Sequence, residues 1–260
     1  ARHLVRIFTS VQNEAYQPLH TASYLIDHAL WGLKPFGCRL FNLVLYAAAA
    51  CLLLAFVLAL GAKPVAATAG VLLFAVHPSH VESVVWISSR KDVLSLVFVA
   101  GALLLHVRSK RPLDRCHAGA LGLFVLAGLT KTTTLFLPFW LPLVDRWLFG
   151  RSWRSAIERA APMAAVALVL GGLVAWIWRQ SGLLRELPAT GSPLALAPKV
   201  LLHHASVLVL PLNLSALYPI DRAGAFDLRA AAGVLALVGL VWAVRRARSG
   251  PRRAGHAQRG

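Results

Sequence analysis

The stretch from residue 77 to residue 92 gathers His77, His80, Glu82, Trp86, Arg90, Lys91 and Asp92 between two apolar blocks. Two imidazoles, two carboxylates and two cations are the groups needed to hold an anion and move a proton. At membrane depth such groups are costly and face a cavity or one another. Pro78 suits the first position of a helix, and a helix starting there puts Glu82, Trp86 and Arg90 on one face at spacings of four. The spacing predicts either a site for an anionic ligand, with Arg90 and Lys91 as cations, or a Glu82–Arg90 ion pair beside an aromatic anchor. His77, His80 and Glu82 also have the chemistry of divalent-metal ligands, with His3, His203 or His204 as a further donor. The H-E-x-x-H pattern of zinc proteases is absent, so no metal site is assigned and no other cofactor is implied.

Three further places carry polar groups. Lys131 stands alone between apolar blocks, where it either snorkels or meets a phosphate as a point charge. Residues 16–31, from Tyr16 to Trp31 with Asp27 among them, form an amphipathic pattern too polar to span, read as a helix on the outer membrane face. His203 and His204 open a late apolar block, with Tyr218 and Asp221 after it.

The elements that position these groups follow from composition. Of 260 residues, 58% are hydrophobic and 14% charged, against about 45–50% and about 25% in soluble domains. The apolar residues run in long blocks at 40–60, 65–76, 93–107, 118–129, 135–149, 161–178, 200–212 and 230–244. The fold class is therefore all-α, a polytopic membrane helix bundle of seven or eight membrane helices. Residues 1–36 form the lead-in with its interfacial helix, 37–245 the membrane domain with its outward motif at 77–92, and 246–260 a disordered basic tail. The opening residues read as the interior of a longer chain.

The net charge of +17 would mark a nucleic-acid binder in a soluble protein. Here the bases lie between apolar blocks, as the positive-inside rule requires, and no nucleic-acid partner is expected. Arg108, Lys110, Arg111 and Arg115, then Arg146, Arg151, Arg154 and Arg159, mark two cytoplasmic loops. The segment 77–92 and Lys131 then lie on the outer face, where His80, Glu82, Arg90 and Lys131 are expected to converge on one cavity. Strict alternation would leave the Arg245–Arg248 tail outside, so the block 200–212 or the segment after it is expected not to cross fully. Cys38, Cys51 and Cys116 have no C-x-x-C spacing and imply no disulfide framework.

The 77–92 block resembles the signature of the transmembrane, tetratricopeptide-containing O-mannosyltransferase-like family and its bacterial relatives, which are C-type glycosyltransferases. Tyr16, Pro18, Asp27, Trp31, Gly32 and Asn42 match in order, as do Gly128, Lys131 and the run from Leu210 to Tyr218. The chain departs from the family's usual pattern at Gln17, Arg39, Tyr46 and Thr132. The resemblance covers roughly residues 5–245. It implies sugar transfer from a polyprenyl-phosphate-linked donor to Ser or Thr of a protein acceptor on the outer face. It also places an acidic catalytic motif before residue 1. The substrate-binding residues it implies are His77, His80, Glu82, Arg90, Lys91, Asp92, Lys131, Tyr16 and Tyr218, with the cations stabilising the departing phosphate and the carboxylates orienting His80 and Arg90. The Arg-rich, Ala-Leu-Gly-Pro-rich composition suits a bacterial inner membrane with the site facing the periplasm. Two other classes fit the same residues: a secondary transporter with a broken midplane helix, and a catalytically inactive membrane module.

Overall fold

A computed structural model describes residues 16–111 and 113–181, together with residue 7 and isolated helical positions at 200, 201, 203–205, 207, 208, 235, 238 and 239. The chain divides into two units, Ala1–Glu186 and Leu187–Gly260. The described residues of the first are helical, without a strand. In the second, His204 Nδ1 lies 2.7 Å from the Val200 carbonyl. Tyr218, the block at 230–244 and the basic tail lie outside the described residues, apart from the isolated positions above.

Helix α1 (Pro18–Trp31) begins at Pro18 and stops at Gly32, whose φ of +63° few other residues adopt and whose N–H bonds the His28 carbonyl. Helix α2 (Pro35–Ala59) is an unbroken apolar run, about 37 Å long at ~1.5 Å per residue. Helix α3 (Pro64–Ala75) returns along it. His77 is extended, as a residue before proline must be, and a 3₁₀ turn at Pro78–His80 leads into the short helix α4 (Val81–Val85). Trp86 is extended again, and a second 3₁₀ turn, Ile87–Ser89, precedes α5 (Arg90–Arg108). Helix α6 (Arg115–Thr130) follows, then a 3₁₀ turn at Thr132–Phe136, α7 (Leu137–Phe149) and α8 (Trp153–Gln180).

Two described helices, α2 and α8, are long and apolar enough to cross a membrane, and α3 with the segment 78–85, bent by 53°, makes a third if counted as one. Only 17% and 22% of the most apolar stretches of α2 and α8 are buried within the protein. Such outward-facing apolar surface on long helices needs lipid, and the chain is a membrane protein. The blocks at 93–107, 118–129 and 135–149 do form helices (α5, α6 and α7), but these are shorter or carry charge: α5 opens with Arg90, Lys91 and Asp92. The described residues thus give two or three such spans where the sequence predicts seven or eight membrane helices in all.

Small residues bring α5 and α6 together, as membrane packing favours: Ala100, Ala102, Ala120 and Ala127 are fully buried. Gly101 lies against Leu123 and Gly119 against Leu105. Ala102 and Ala120 form a core with Phe124, Leu135, Leu141 and Met163, which joins α5, α6, α7 and α8. The amino end of α6 is capped by Asp114, which accepts from the backbone N–H groups of His117 (2.8 Å) and Lys110 (2.8 Å). These donors, His117 first, hold the Asp114 carboxyl well below the usual carboxylate range.

The α1–α2 corner depends on Gly37, where a Cβ would lie 2.1 Å from Trp31 Cγ. Gly37→Ala should displace the indole and lower stability by about 1–3 kcal/mol; thermal unfolding in detergent measures it.

Candidate functional site

The polar end of the bundle is built around Arg90, which is 0% exposed. Its Nε donates to Asn42 Oδ1 (2.8 Å) and its Nη2 to the Cys38 carbonyl (3.1 Å), while Nη1 reaches the Ser23 carbonyl at 3.5 Å. Its guanidinium also pairs with the buried Asp27 and lies 4.5 Å from the Tyr24 ring centroid. One side chain therefore ties α1, α2 and the start of α5 together. Asn42 continues the network, donating to the carbonyls of Val84 (3.3 Å) and Trp86 (3.4 Å). The Tyr24 hydroxyl donates to the Ile87 carbonyl (2.7 Å) and lies 3.0 Å from His20 Nε2. Residues 16–31 thus form their expected helix from Pro18 and pack against the 77–92 segment.

Burial, then the neighbouring Lys91 and Arg90 cations, push the His20 imidazole down to about 4. An unfolded histidine takes its proton near pH 6.5. The stability that neutral His20 contributes is therefore complete above pH 6.5 and lost as pH falls from there towards 4. Melting temperatures of wild type and His20→Gln should diverge across that window and agree in slope above it.

Beside this network lies a cavity of about 440 Å³. Its lining combines the polar groups of His80, Ser83, Asp92, Ser95, Lys131, Thr133 and Thr134 with apolar ones that include Tyr46, Phe74, Phe136, Leu137 and Trp140. Lys131 Nζ donates to Asp92 Oδ1 in a half-exposed ion pair. The chain presents Lys131 because α6 ends at Thr130 and Lys131 is extended, with Thr134 Oγ1 donating to its carbonyl (2.8 Å). His80 packs against Phe74 with the rings tilted by 50° and 4.4 Å between centroids. Tyr46 shares its hydroxyl proton between the carbonyls of Phe74 (3.3 Å) and Ala75 (3.2 Å), fixing the end of α3. Phe136 and Trp140 are 67% and 63% exposed, so part of the apolar lining reaches the outer surface of the bundle.

Two expectations need correction. Glu82 and Arg90 do not share a helix face, because the helix breaks at Trp86, which is extended and whose carbonyl is bonded by Asn42 and by the Ser89 N–H of the following 3₁₀ turn. The Glu82–Arg90 pair is not formed: Glu82 is exposed, and Asp27 takes the guanidinium. Of the four residues expected to converge, His80 and Lys131 line the cavity and are joined by Asp92. Arg90 is turned into the protein, and Glu82 is outside the lining. Lys91 and His77 are half-buried and Tyr16 is buried; none of the three is among the lining residues. Among the described residues no cluster of three metal-type ligands exists.

The opposite end carries a second buried network that the sequence pattern alone does not reveal. Asp145, fully buried, accepts from Arg159 Nε (3.0 Å) and Arg151 Nη1 (2.5 Å). Arg159 Nη2 donates to the His106 carbonyl (2.8 Å), and the rings of His106 and His117 are 5.8 Å apart. His106 lies on α5 beyond Arg90, about 24 Å away at ~1.5 Å per residue. The signal available was a lone acid and a lone histidine inside apolar blocks. The two Arg-rich loops, 108–115 and 146–159, are thus together at this end, away from the cavity.

The sequence comparisons bear out the resemblance over part of the chain. It is 33% identical over 100 residues to protein O-mannosyl-transferase TMTC3 of Homo sapiens and 35% identical over 99 residues to protein O-mannosyl-transferase TMTC2 of Mus musculus, each match covering 38% of this chain. A third match, to protein O-mannosyl-transferase TMTC1 of Mus musculus, is 34% identical over 115 residues, or 42% of the chain. These matches span only 11–12% of the relatives' own length. No family model matches the chain, and no solved structure matches it.

Proposed function

We propose that this chain is the membrane core of a glycosyltransferase, a bundle of seven or eight membrane helices that moves a sugar from a polyprenyl-phosphate carrier to a Ser or Thr hydroxyl of a protein. The observation that carries the reading is the Lys131–Asp92 pair in a cavity also lined by aromatic side chains, of which Phe136 and Trp140 are largely exposed on the outer surface of the bundle. A lipid-linked donor has this same division, with a phosphate at the interface and an apolar chain in the bilayer. In the transfer, the acceptor oxygen bonds to the anomeric carbon as the bond to the phosphate oxygen breaks. The hydroxyl gives up its proton to a carboxylate base, as the family resemblance implies, and negative charge grows on the departing phosphate. A lysine held beside that oxygen stabilises the charge where it develops. Asp92 keeps the ammonium in place.

Orientation follows from the ends of the bundle. Exposed cations at Lys63, Arg108, Lys110, Arg111, Arg115, Arg146 and Arg154 gather at the end away from the cavity, and the positive-inside rule puts that end in the cytoplasm. The cavity then faces outward, the periplasm in a bacterial inner membrane. The reading is tested by incubating the complete protein, in membranes, with a radiolabelled polyprenyl-phosphate-linked mannose and a Ser/Thr peptide. Label transferred to the peptide is expected; no transfer with any polyprenyl-linked hexose would refute the reading.

A further inference from the structure

A second cleft, also about 440 Å³, opens at the end of the short helix α4, lined by Tyr24, Arg39, Val85, Trp86, Ile87 and Ser88. Its lining and that of the cavity of Asp92 and Lys131 draw on successive residues of one segment, Val85 to Ser88 here and His80 and Ser83 there, and its size falls within the range of about 300–1,000 Å³ typical of ligand sites. Arg39 is exposed and is the one charged group in this lining. Trp86 is 53% exposed, yet its backbone is fixed three ways: its carbonyl accepts from Asn42 Nδ2 and from the Ser89 N–H (3.1 Å), and its N–H donates to the Glu82 carbonyl (3.0 Å). The Tyr24 ring is held by its hydroxyl on Ile87 and by the buried Arg90 beneath it. The buried network thus fixes the backbone under one exposed indole and holds a phenol beside one exposed guanidinium. A site fixed in advance loses little freedom on binding, and a guanidinium fork matches a carboxylate in shape and charge.

We infer that this cleft docks the acceptor polypeptide through an acidic side chain next to its hydroxyl residue. Arg39 takes the carboxylate, and Trp86 with Tyr24 packs against the neighbouring residue. The cleft would then fix which Ser or Thr reaches the cavity next door. The inference rests on the glycosyltransferase reading for the identity of the ligand, but its test reads binding and needs no turnover.

The complete protein, in nanodiscs of neutral lipid, is titrated into fluorescein-labelled Ser/Thr peptides flanked by Glu or by Lys, and anisotropy is recorded. Wild type is expected to bind the Glu peptide about tenfold more tightly, a difference of about 1.4 kcal/mol. Arg39→Glu should reverse the order, and Trp86→Ala should weaken both peptides. If Arg39→Glu does not fold, Arg39→Gln serves, with discrimination expected to vanish. Equal affinities in wild type, or an order unchanged by either Arg39 variant, overturns the inference. So does an unchanged peptide order with lowered retention of phosphatidylglycerol, which would assign Arg39 to a lipid headgroup. Discrimination without sugar transfer would keep the cleft and remove the glycosyltransferase reading; transfer without discrimination would do the reverse.

Discussion

Arg90→Met should lower the stability of this protein by about 3–5 kcal/mol, the usual cost of removing one partner of a buried ion pair. The substitution keeps much of the side chain's length, so the loss is electrostatic and polar. Asp27 would be left buried without its cation, and Asn42 Oδ1 and the Cys38 carbonyl would lose their donors. Arg90→Lys should recover little, since one ammonium cannot place donors on Asn42, Cys38 and Asp27 in the directions a guanidinium reaches. The double variant Asp27→Leu/Arg90→Met should regain a large part of the loss, because an apolar pair can replace a buried ionic one. Denaturation in detergent measures all three. A melting temperature unchanged in Arg90→Met would show that the network does not hold the polar end together.

Lys131→Met is expected to act in the opposite way, sparing the fold and removing activity. Lys131 is half-exposed and its ion pair is of the weakly stabilising surface kind, so melting should shift little. Loss of a charge placed at the departing group costs about 10²–10³ in kcat. Asp92→Asn should also lower kcat, by less, since the ammonium would remain but lose its fixed position. The Michaelis constant for the acceptor peptide should change little in both, because neither side chain lines the cleft of Arg39. Transfer assays on the complete protein separate the two constants. Arg90 and Lys131 look equivalent in the sequence as cations for a phosphate; the structure makes one a buried tie and leaves the other at the cavity.

The long elements are legible in the sequence because their causes are local. The apolar run of α2 and the amphipathic pattern of α1 are read directly from residue types. The break inside 77–92 is not legible beyond Pro78. No proline or glycine at Trp86 stops a helix; Asn42, on another helix, bonds the carbonyls of Val84 and Trp86, the latter shared with the Ser89 N–H. Tertiary hydrogen bonds take part in the backbone turn there, and the face shared by Glu82 and Arg90 disappears with it.

Ion-pair partners escape the sequence for a related reason. Glu82 is the nearest acid at helical spacing, but Asp27 can be buried with Arg90 and Glu82 is left outside, so the buried cation takes the buried acid. Asp92, adjacent in sequence to the cations of its own motif, turns instead to Lys131. His80, Asp92 and Lys131 each stand out by residue type in an apolar setting, which is the signal that survives without knowledge of the fold. The same signal is present at His106, Asp145 and Arg159, where the surrounding Arg-rich loops speak first of topology.

The most direct test of the donor site is photolabelling of the complete protein with a polyprenyl-phosphate mannose carrying a benzophenone near its phosphate. Peptide mapping should place the label on residues 131–140 and 74–83, two segments of the cavity lining, and Lys131→Met should reduce it. Label confined to residues 106–117 or 145–159, at the far end of the bundle, would contradict the account.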